Sequence, residues 1–207
     1  MSEKPPPPAW DERYAEPGWA YGVEPNDFLR AMAPRIPMGR VLCLAEGEGR
    51  NAVHLAALGY DVTAVDQSAV GLAKARRLAE ERGVALRTEV ADLATFAIEP
   101  AAWQGIVSIF AHFPPPLRLR VHRAVVDGLA PGGVYVLEAY TPRQFVHRTG
   151  GPTDATLLMT LSALRRELAG LEFEHALELD RDVVEGRFHT GLSAVVQVLA
   201  RRPAQGS

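Results

Sequence analysis

The chain has 207 residues, 47% of them apolar and 23% charged, with a net charge of −3. That is enough for one domain with a full core, in the composition of an ordinary water-soluble globule. The weak negative charge supplies no field for a nucleic-acid backbone, and no apolar run nears the length of a membrane span, so neither partner is expected. Residues 1–9 contain Pro5, Pro6, Pro7 and Pro8, which favour an extended, solvated chain, and too few apolar residues for a signal peptide. A disordered tail is expected there.

Residues 10–38 read differently. Trp10, Tyr14, Trp19, Tyr21 and Phe28 crowd five aromatics into nineteen residues. Either the rings pack an N-terminal arm onto the body, or the arm folds over a ligand as a lid with Tyr14 or Tyr21 on its inner side. Asn26 is placed to cap a helix over 27–33, which Pro34 and Pro37 should end.

Residues 41–44 predict a strand. It contains Cys43, the chain's single cysteine, which is buried by that reading and cannot form an internal disulfide, as suits a cytoplasmic protein. The strand runs into Ala45-Glu46-Gly47-Glu48-Gly49 and then a helix over 51–58. Strand, glycine loop and helix in succession make a ligand site. Glycines let the backbone turn sharply, and the helix N-terminus offers free N–H groups to an anion. A second strand, 61–65, ends in Asp66, placed to accept hydrogen bonds from ribose hydroxyls. Ser68 caps the next helix, whose inner face is Leu72, Ala75, Leu78 and Ala79 and whose stop is Gly83. A third strand, 86–90, ends near Asp92. The alternation of strand and helix implies parallel pairing with right-handed crossovers. Glu46, Asp66 and Asp92 then face one crevice, a set of acids suited to hydroxyls, amines and a cation but not to a pyrophosphate.

A fourth strand, 105–110, carries Ser108 and Phe110 toward its carboxyl end, with His112 just beyond, where open α/β sheets bind ligands. Pro114, Pro115 and Pro116 open a helix whose buried side is Leu117, Val121, Ala124 and Val125. Gly132-Gly133 lead into a fifth strand, 134–140, with Glu138 and Tyr140 on one face. Asp154 is placed to cap a helix with the stripe Leu157, Leu161, Leu164 and Leu168. Residues 171–179 alternate as a half-exposed strand, Gly186 marks a turn, and 188–200 form a last, valine-rich strand that must run antiparallel. Residues 202–207 are expected to be a flexible end.

The motif at 41–51 resembles motif I of the class I S-adenosylmethionine (SAM) methyltransferases, and Leu129-Ala130-Pro131-Gly132-Gly133 resembles the turn before their fifth strand. Trp10-Asp11-Glu12-Arg13-Tyr14, Tyr21-Gly22, Pro25-Asn26 and Gly49-Arg50-Asn51 resemble the tellurite-resistance (TehB-like) branch, related to the thiopurine methyltransferases. The likeness covers about residues 10–201. It implies a Rossmann-like α/β three-layer sandwich: a mostly parallel seven-stranded sheet with an antiparallel C-terminal strand, as one domain over 10–201. It also implies SAM as cofactor, S-adenosylhomocysteine as product, and a cofactor site of Tyr21, Ala45, Glu46, Gly47, Gly49, Arg50, Asn51, Asp66, Gln67, Asp92, Leu93 and Phe110. Asp66 takes the ribose position and Asp92-Leu93 the adenine position. Two departures stand out. Ala45 replaces the usual first glycine of the loop and should need a negative φ, and Cys43 replaces an acid found in many members.

Three functions compete on these residues: a SAM-dependent methyltransferase, a nicotinamide oxidoreductase through the loose fingerprint at 47–52, and a non-catalytic SAM-binding protein. Glu46 and Glu48 would crowd a pyrophosphate, and 207 residues leave no separate substrate domain, which weighs against the second. The acceptor expected is a small molecule, a thiol or a chalcogen compound of the tellurite or selenite kind, which needs no strong base. If a base acts, His112 is best placed, with Tyr140 and Glu138 behind it. Arg13, Arg50 and Arg143 are candidate receivers of an anionic acceptor, though each is more readily read as one half of a surface or structural salt bridge. His122, His147, His175 and His189 show no metal-ligand spacing, so no metal site is expected. A monomer or weak homodimer is expected.

Overall fold

The computed structural model describes residues 9–187 and 189–204; the expected tail at 1–8, Phe188 and residues 205–207 lie outside the described residues. One sheet holds β1 Arg40–Leu44, β2 Asp61–Asp66, β3 Arg87–Val90, β4 Trp103–Ile109, β5 Leu129–Tyr140, β6 Glu172–Glu185 and β7 His189–Arg201, in the order β3-β2-β1-β4-β5-β7-β6. Strands β1 to β5 pair in parallel, and β7 is antiparallel to both its neighbours. The expected sheet and its antiparallel ending are present.

The period of two along each central strand divides the core. On β1, Val41 and Cys43 face one layer, where Leu29, Leu55, Leu72 and Ala75 come from α2 Asp27–Met32, α3 Arg50–Ala57 and α4 Ala69–Glu81. Leu42 and Leu44 face the other, where Val121, Val125 and Leu164 come from α5 Pro115–Gly128 and α7 Leu161–Glu167. Strands buried on both faces read as continuous apolar runs for this reason. Cys43 is fully buried, which pushes its thiol pKa well up and leaves it inert.

Helices lie on both faces and the strand order reverses between β1 and β4. In open α/β sheets, the crevice beyond the carboxyl ends of the strands at such a switch point is where ligands bind. The site is therefore set by topology before any side chain is considered.

Several local expectations are corrected. The arm's α-helix ends at Met32, ahead of Pro34 and one residue short of the expected bound, and Pro34 itself occupies the start of a 3-10 turn, Ala33–Arg35, where its missing N–H is not needed. Asp154 caps a separate 3-10 turn, Ala155–Leu157, by accepting from Thr156 N, while α7 begins later with Thr160 as its cap. Leu157 thus leaves the stripe and lines the crevice. Strand β5 starts at Leu129, before the two glycines. The alternation expected over 171–179 slips at a register shift between Phe173 and His175, which turns Leu177 outward to 51% exposure. Arg202 is not loose. Its N–H bonds Gly133 O and its guanidinium donates to Asp127 O and Leu129 O.

Candidate active site

The loop after β1 is shaped by an alanine that does what a glycine was expected to do. Ala45 has φ +50, not the negative φ expected of it, so the turn keeps its left-handed residue at the cost of Cβ crowding. Gly47 and Gly49 are also left-handed, with φ +61 and +89. Neither lines the crevice. A Cβ on Gly47 would strike the Tyr14 hydroxyl, and one on Gly49 would lie 2.5 Å from Ala75 Cβ on α4. These glycines let the arm and α4 approach the loop. Gly49→Val is therefore expected to destabilise the fold by about 2–5 kcal/mol, from left-handed strain of about 1–2 and overpacking of about 1–3. Urea unfolding checks this, and Ala75→Gly in the same chain should recover part of the loss.

The N-terminus of α3 is not open to a ligand as expected. Glu46 Oε1 accepts from Asn51 N at 3.0 Å and Ala52 N at 2.8 Å, so the helix's own loop supplies the anion. Burial pushes the Glu46 carboxyl up to about 7, with the two N–H bonds pulling the other way. A carboxyl whose pKa is raised on folding binds its proton more tightly in the folded chain. Glu46 therefore makes stability fall as pH rises from about 4.5 through about 7. Thermal midpoints of wild type and Glu46→Gln across pH 5 to 8 should differ in slope, with the variant flatter.

Asp66 ends β2 and is 5% exposed. Its Oδ2 accepts from Gly47 N at 2.9 Å and its Oδ1 from Ser68 N at 2.8 Å. The carboxylate thus ties the two loops that border the crevice while keeping lone pairs toward it. Burial raises its pKa.

The arm is fastened rather than draped. Ala20 N donates to Glu48 Oε2 at 2.7 Å, and Asn26 N to Asn51 Oδ1 at 2.9 Å. Lys74 on α4 reaches Glu48 Oε1, Glu16 O and Gly18 O. Ser68 also pairs with Asp11, on α1 Ala9–Ala15. Tyr14, 5% exposed, covers Gly47 and Gly71 beside Asp66, and burial together with the Asp66 charge drives its phenol pKa far up. Core packing and crevice lining divide between residues. Phe28 and Trp19 pack inward, while Trp10, Arg13, Tyr14 and Tyr21 border the crevice.

The crevice encloses about 760 Å³, within the roughly 300–1,000 Å³ of small-molecule sites. One end is lined by Ala45, Glu46, Glu48, Asp66, Gln67, Asp92 and Leu93. The other is walled by Phe110, His112, Phe113, Leu117, Tyr140, Leu157 and His189, with Tyr21, Arg50 and Asn51 along the rim. Of the expected cofactor residues, all but Gly47 and Gly49 line it. Phe110, φ +52, has just left β4, and this turn carries its ring onto Tyr140, centroids 4.6 Å apart. His112 Nδ1 lies 3.2 Å from Leu157 O, and burial holds its pKa down to about 4.

Three expected polar residues have other partners. Arg50 NH2 pairs with buried Glu185 at 2.5 Å, and its NH1 reaches Glu24 O. Glu138, fully buried, does not line the crevice; it accepts from Asn26, Arg181 and Gln197. Arg143 pairs with Asp180 outside it. His189 was passed over for lacking ligand spacing, yet it lines the crevice beside Tyr140, 5.6 Å between centroids. A signal existed. A last strand that returns antiparallel beside strand five starts where strand five ends, at the ligand edge of the sheet.

Among the described residues no group of three or more His, Cys, Asp or Glu is arranged to hold a metal, and no helix is long and apolar enough to cross a membrane.

Residues 41–133 match the family model described as a methyltransferase domain. The chain is 26% identical over 198 residues to the uncharacterised methyltransferase YbaJ of Bacillus subtilis (strain 168), covering 87% of this chain and 76% of that one. A solved structure from work on the conversion of a disulfide bond into a thioacetal group during echinomycin biosynthesis superposes with TM-score 0.74. It is 22% identical and covers 91% of this chain and 86% of its own. TehB from Haemophilus influenzae superposes with TM-score 0.69 at 21% identity, over 86% of this chain and 62% of that one. The chain is thus similar to a methyltransferase domain over residues 41–133 and has the fold of the class I methyltransferases.

Proposed function

We propose that this protein transfers a methyl group from SAM to a small-molecule acceptor. The observation that carries the reading is the crevice at the strand-order reversal, acidic at one end and aromatic at the other. Glu46, Glu48, Asp66 and Asp92 together suit a cofactor with ribose hydroxyls, an amine and a sulfonium, and oppose a pyrophosphate. Asp66 and Asp92 would hold the nucleoside, with Gln67 and Leu93 beside them, and Tyr21, Ala45 and Glu46 the amino-acid portion. When bound, SAM supplies a methyl already activated on a positive sulfur.

The chain's own residues then position the acceptor and keep water out. His112 is neutral above about pH 4, so it is a weak base at neutral pH. Tyr140, beside it, is pushed up to about 12 by burial. An acceptor served by these groups must bring its own nucleophilicity, as a thiol does. Arg50 is committed to Glu185, which favours a thiol over a tellurite- or selenite-like oxyanion within the resemblance to the TehB branch.

Calorimetric titration with SAM, S-adenosylhomocysteine and NADH tests the cofactor; binding of NADH alone would end this reading. A methyl-transfer screen over thiols, selenite, tellurite and small phenols tests the reaction. SAM binding with no product from any acceptor would favour a non-catalytic SAM-binding protein.

A further inference from the structure

The wall of the crevice farthest from the acids has a construction that the proposed chemistry does not require. Tyr140 sits between two histidines. His112 stacks on it, centroids 5.7 Å apart and planes within 11°, and His189 meets it edge-on at 85°. His189 also packs on Phe110 at 4.7 Å and on Tyr21 of the arm at 4.5 Å. Both imidazoles end in a buried polar atom with no partner among the described residues: Nε2 of His112 and Nδ1 of His189. Buried polar atoms are nearly always paired, and each exception calls for an explanation.

The tautomer of His112 follows from its one hydrogen-bond contact. Leu157 O can only accept, so Nδ1 of His112 carries the hydrogen and Nε2 is left with an unshared lone pair on a ring that lines the crevice. Burial keeps both rings neutral, with His112 down to about 4 and His189 to about 3. Neutral imidazoles between apolar rings supply no positive charge to hold a carboxylate or an oxyanion. They offer hydrogen-bonding nitrogens to an uncharged group.

We propose that His112 and His189 are the acceptor-recognition pair, and that the acceptor is an uncharged, ring-bearing molecule with at least one hydrogen-bond donor. Its ring packs among Phe110, Tyr140 and His189, its donor is accepted by Nε2 of His112, and Nδ1 of His189 takes a second polar atom where there is one. This rests on the methyltransferase reading and deepens it by naming the class of acceptor and the residues that select it. Because Tyr21 touches His189, the arm shapes the acceptor end as well as the cofactor end.

The test uses the full chain saturated with S-adenosylhomocysteine, with catechol, phenol, anisole and benzoate as probes in calorimetric titrations. Catechol is expected to bind more tightly than phenol, and phenol about tenfold more tightly than anisole, which keeps the ring but lacks the donor. Benzoate should bind no better than anisole. His112→Leu should bring phenol to the level of anisole, and His112→Gln, which keeps a polar atom near Nε2, should restore part of the difference. His189→Leu should bring catechol to the level of phenol, and His189→Asn should restore part of that step. Equal affinity of wild type for phenol and anisole, or preference for benzoate, would overturn the proposal. So would either leucine variant keeping its step while folded and still binding S-adenosylhomocysteine. If wild type does not bind S-adenosylhomocysteine, the methyltransferase reading itself has failed, and that outcome is seen before any probe is added.

Discussion

Replacing Asp66 by alanine is expected to weaken SAM and S-adenosylhomocysteine binding about 10- to 150-fold, or roughly 1.5–3 kcal/mol, the range for a hydrogen bond to a charged group. The variant loses more than a ligand contact. Gly47 N and Ser68 N each give up an acceptor, at 2.9 and 2.8 Å, and the two loops they anchor border the crevice. Sequence position alone suggests that a strand-tip residue can be removed without harm to the fold. The buried bonds argue instead for an added stability loss of about 1–3 kcal/mol. Asp66→Asn, which keeps one acceptor oxygen, should lie between. Calorimetry and urea unfolding on the same samples separate the two effects. An Asp66→Ala protein with wild-type affinity would remove Asp66 from the cofactor site.

Glu185→Ala should have the largest effect on stability. Glu185 is 5% exposed and accepts from Arg50 at 2.5 Å, Asn26 at 2.7 Å and Arg181 at 3.2 Å. Two buried carboxylates, Glu138 and Glu185, thereby balance two guanidiniums, Arg50 and Arg181, at the meeting of the arm, α3, β5 and β6. Removing one member of a buried pair leaves the other charge uncompensated, at a cost of about 3–5 kcal/mol. The double variant Glu185→Ala with Arg50→Met should be less damaged than the single one, because no orphan charge remains. If the single variant unfolds at the same urea concentration as wild type, the network contributes nothing net. Glu185→Ala should also weaken cofactor binding, since Arg50 borders the crevice and would lose its anchor.

Local patterns made much of the frame legible. The helix face Leu72, Ala75, Leu78 and Ala79 is buried as its spacing requires, Ser68 and Asn26 cap the helices they precede, and Gly83 follows α4 with φ +66. Each is a short-range signal, carried by residues within one or two turns of each other. The crevice followed too, because strand order and crossover handedness place Glu46, Asp66 and Asp92 at the same edge.

Partners were less legible. Gly47 and Gly49 suit a ligand's close approach because glycine permits it, and within the protein the groups that approach them are Tyr14 and Ala75. Glu46 was assigned to the ligand and also serves the N–H groups of α3, five and six residues on. Arg50 suits either an anionic acceptor or a structural salt bridge, and the anion it meets is Glu185, 135 residues away. A residue type states what kind of partner a side chain needs and leaves open which one it meets.

By itself, then, the sequence determined the alternation of strands and helices, the parallel sheet with its antiparallel end, and the edge at which a nucleoside-bearing cofactor would lie. These follow from hydrophobic period, capping and chain handedness, all of which are local or topological. Only the tertiary structure decided that the arm is fastened through Glu48, Lys74 and Asn51, that Arg50 and Glu138 belong to a buried charge network, and that His189 joins His112 around Tyr140. Those outcomes depend on contacts between distant segments. A buried charge or ring nitrogen is placed by whichever partner packing brings within about 3 Å, and nothing in the neighbouring residues encodes that choice.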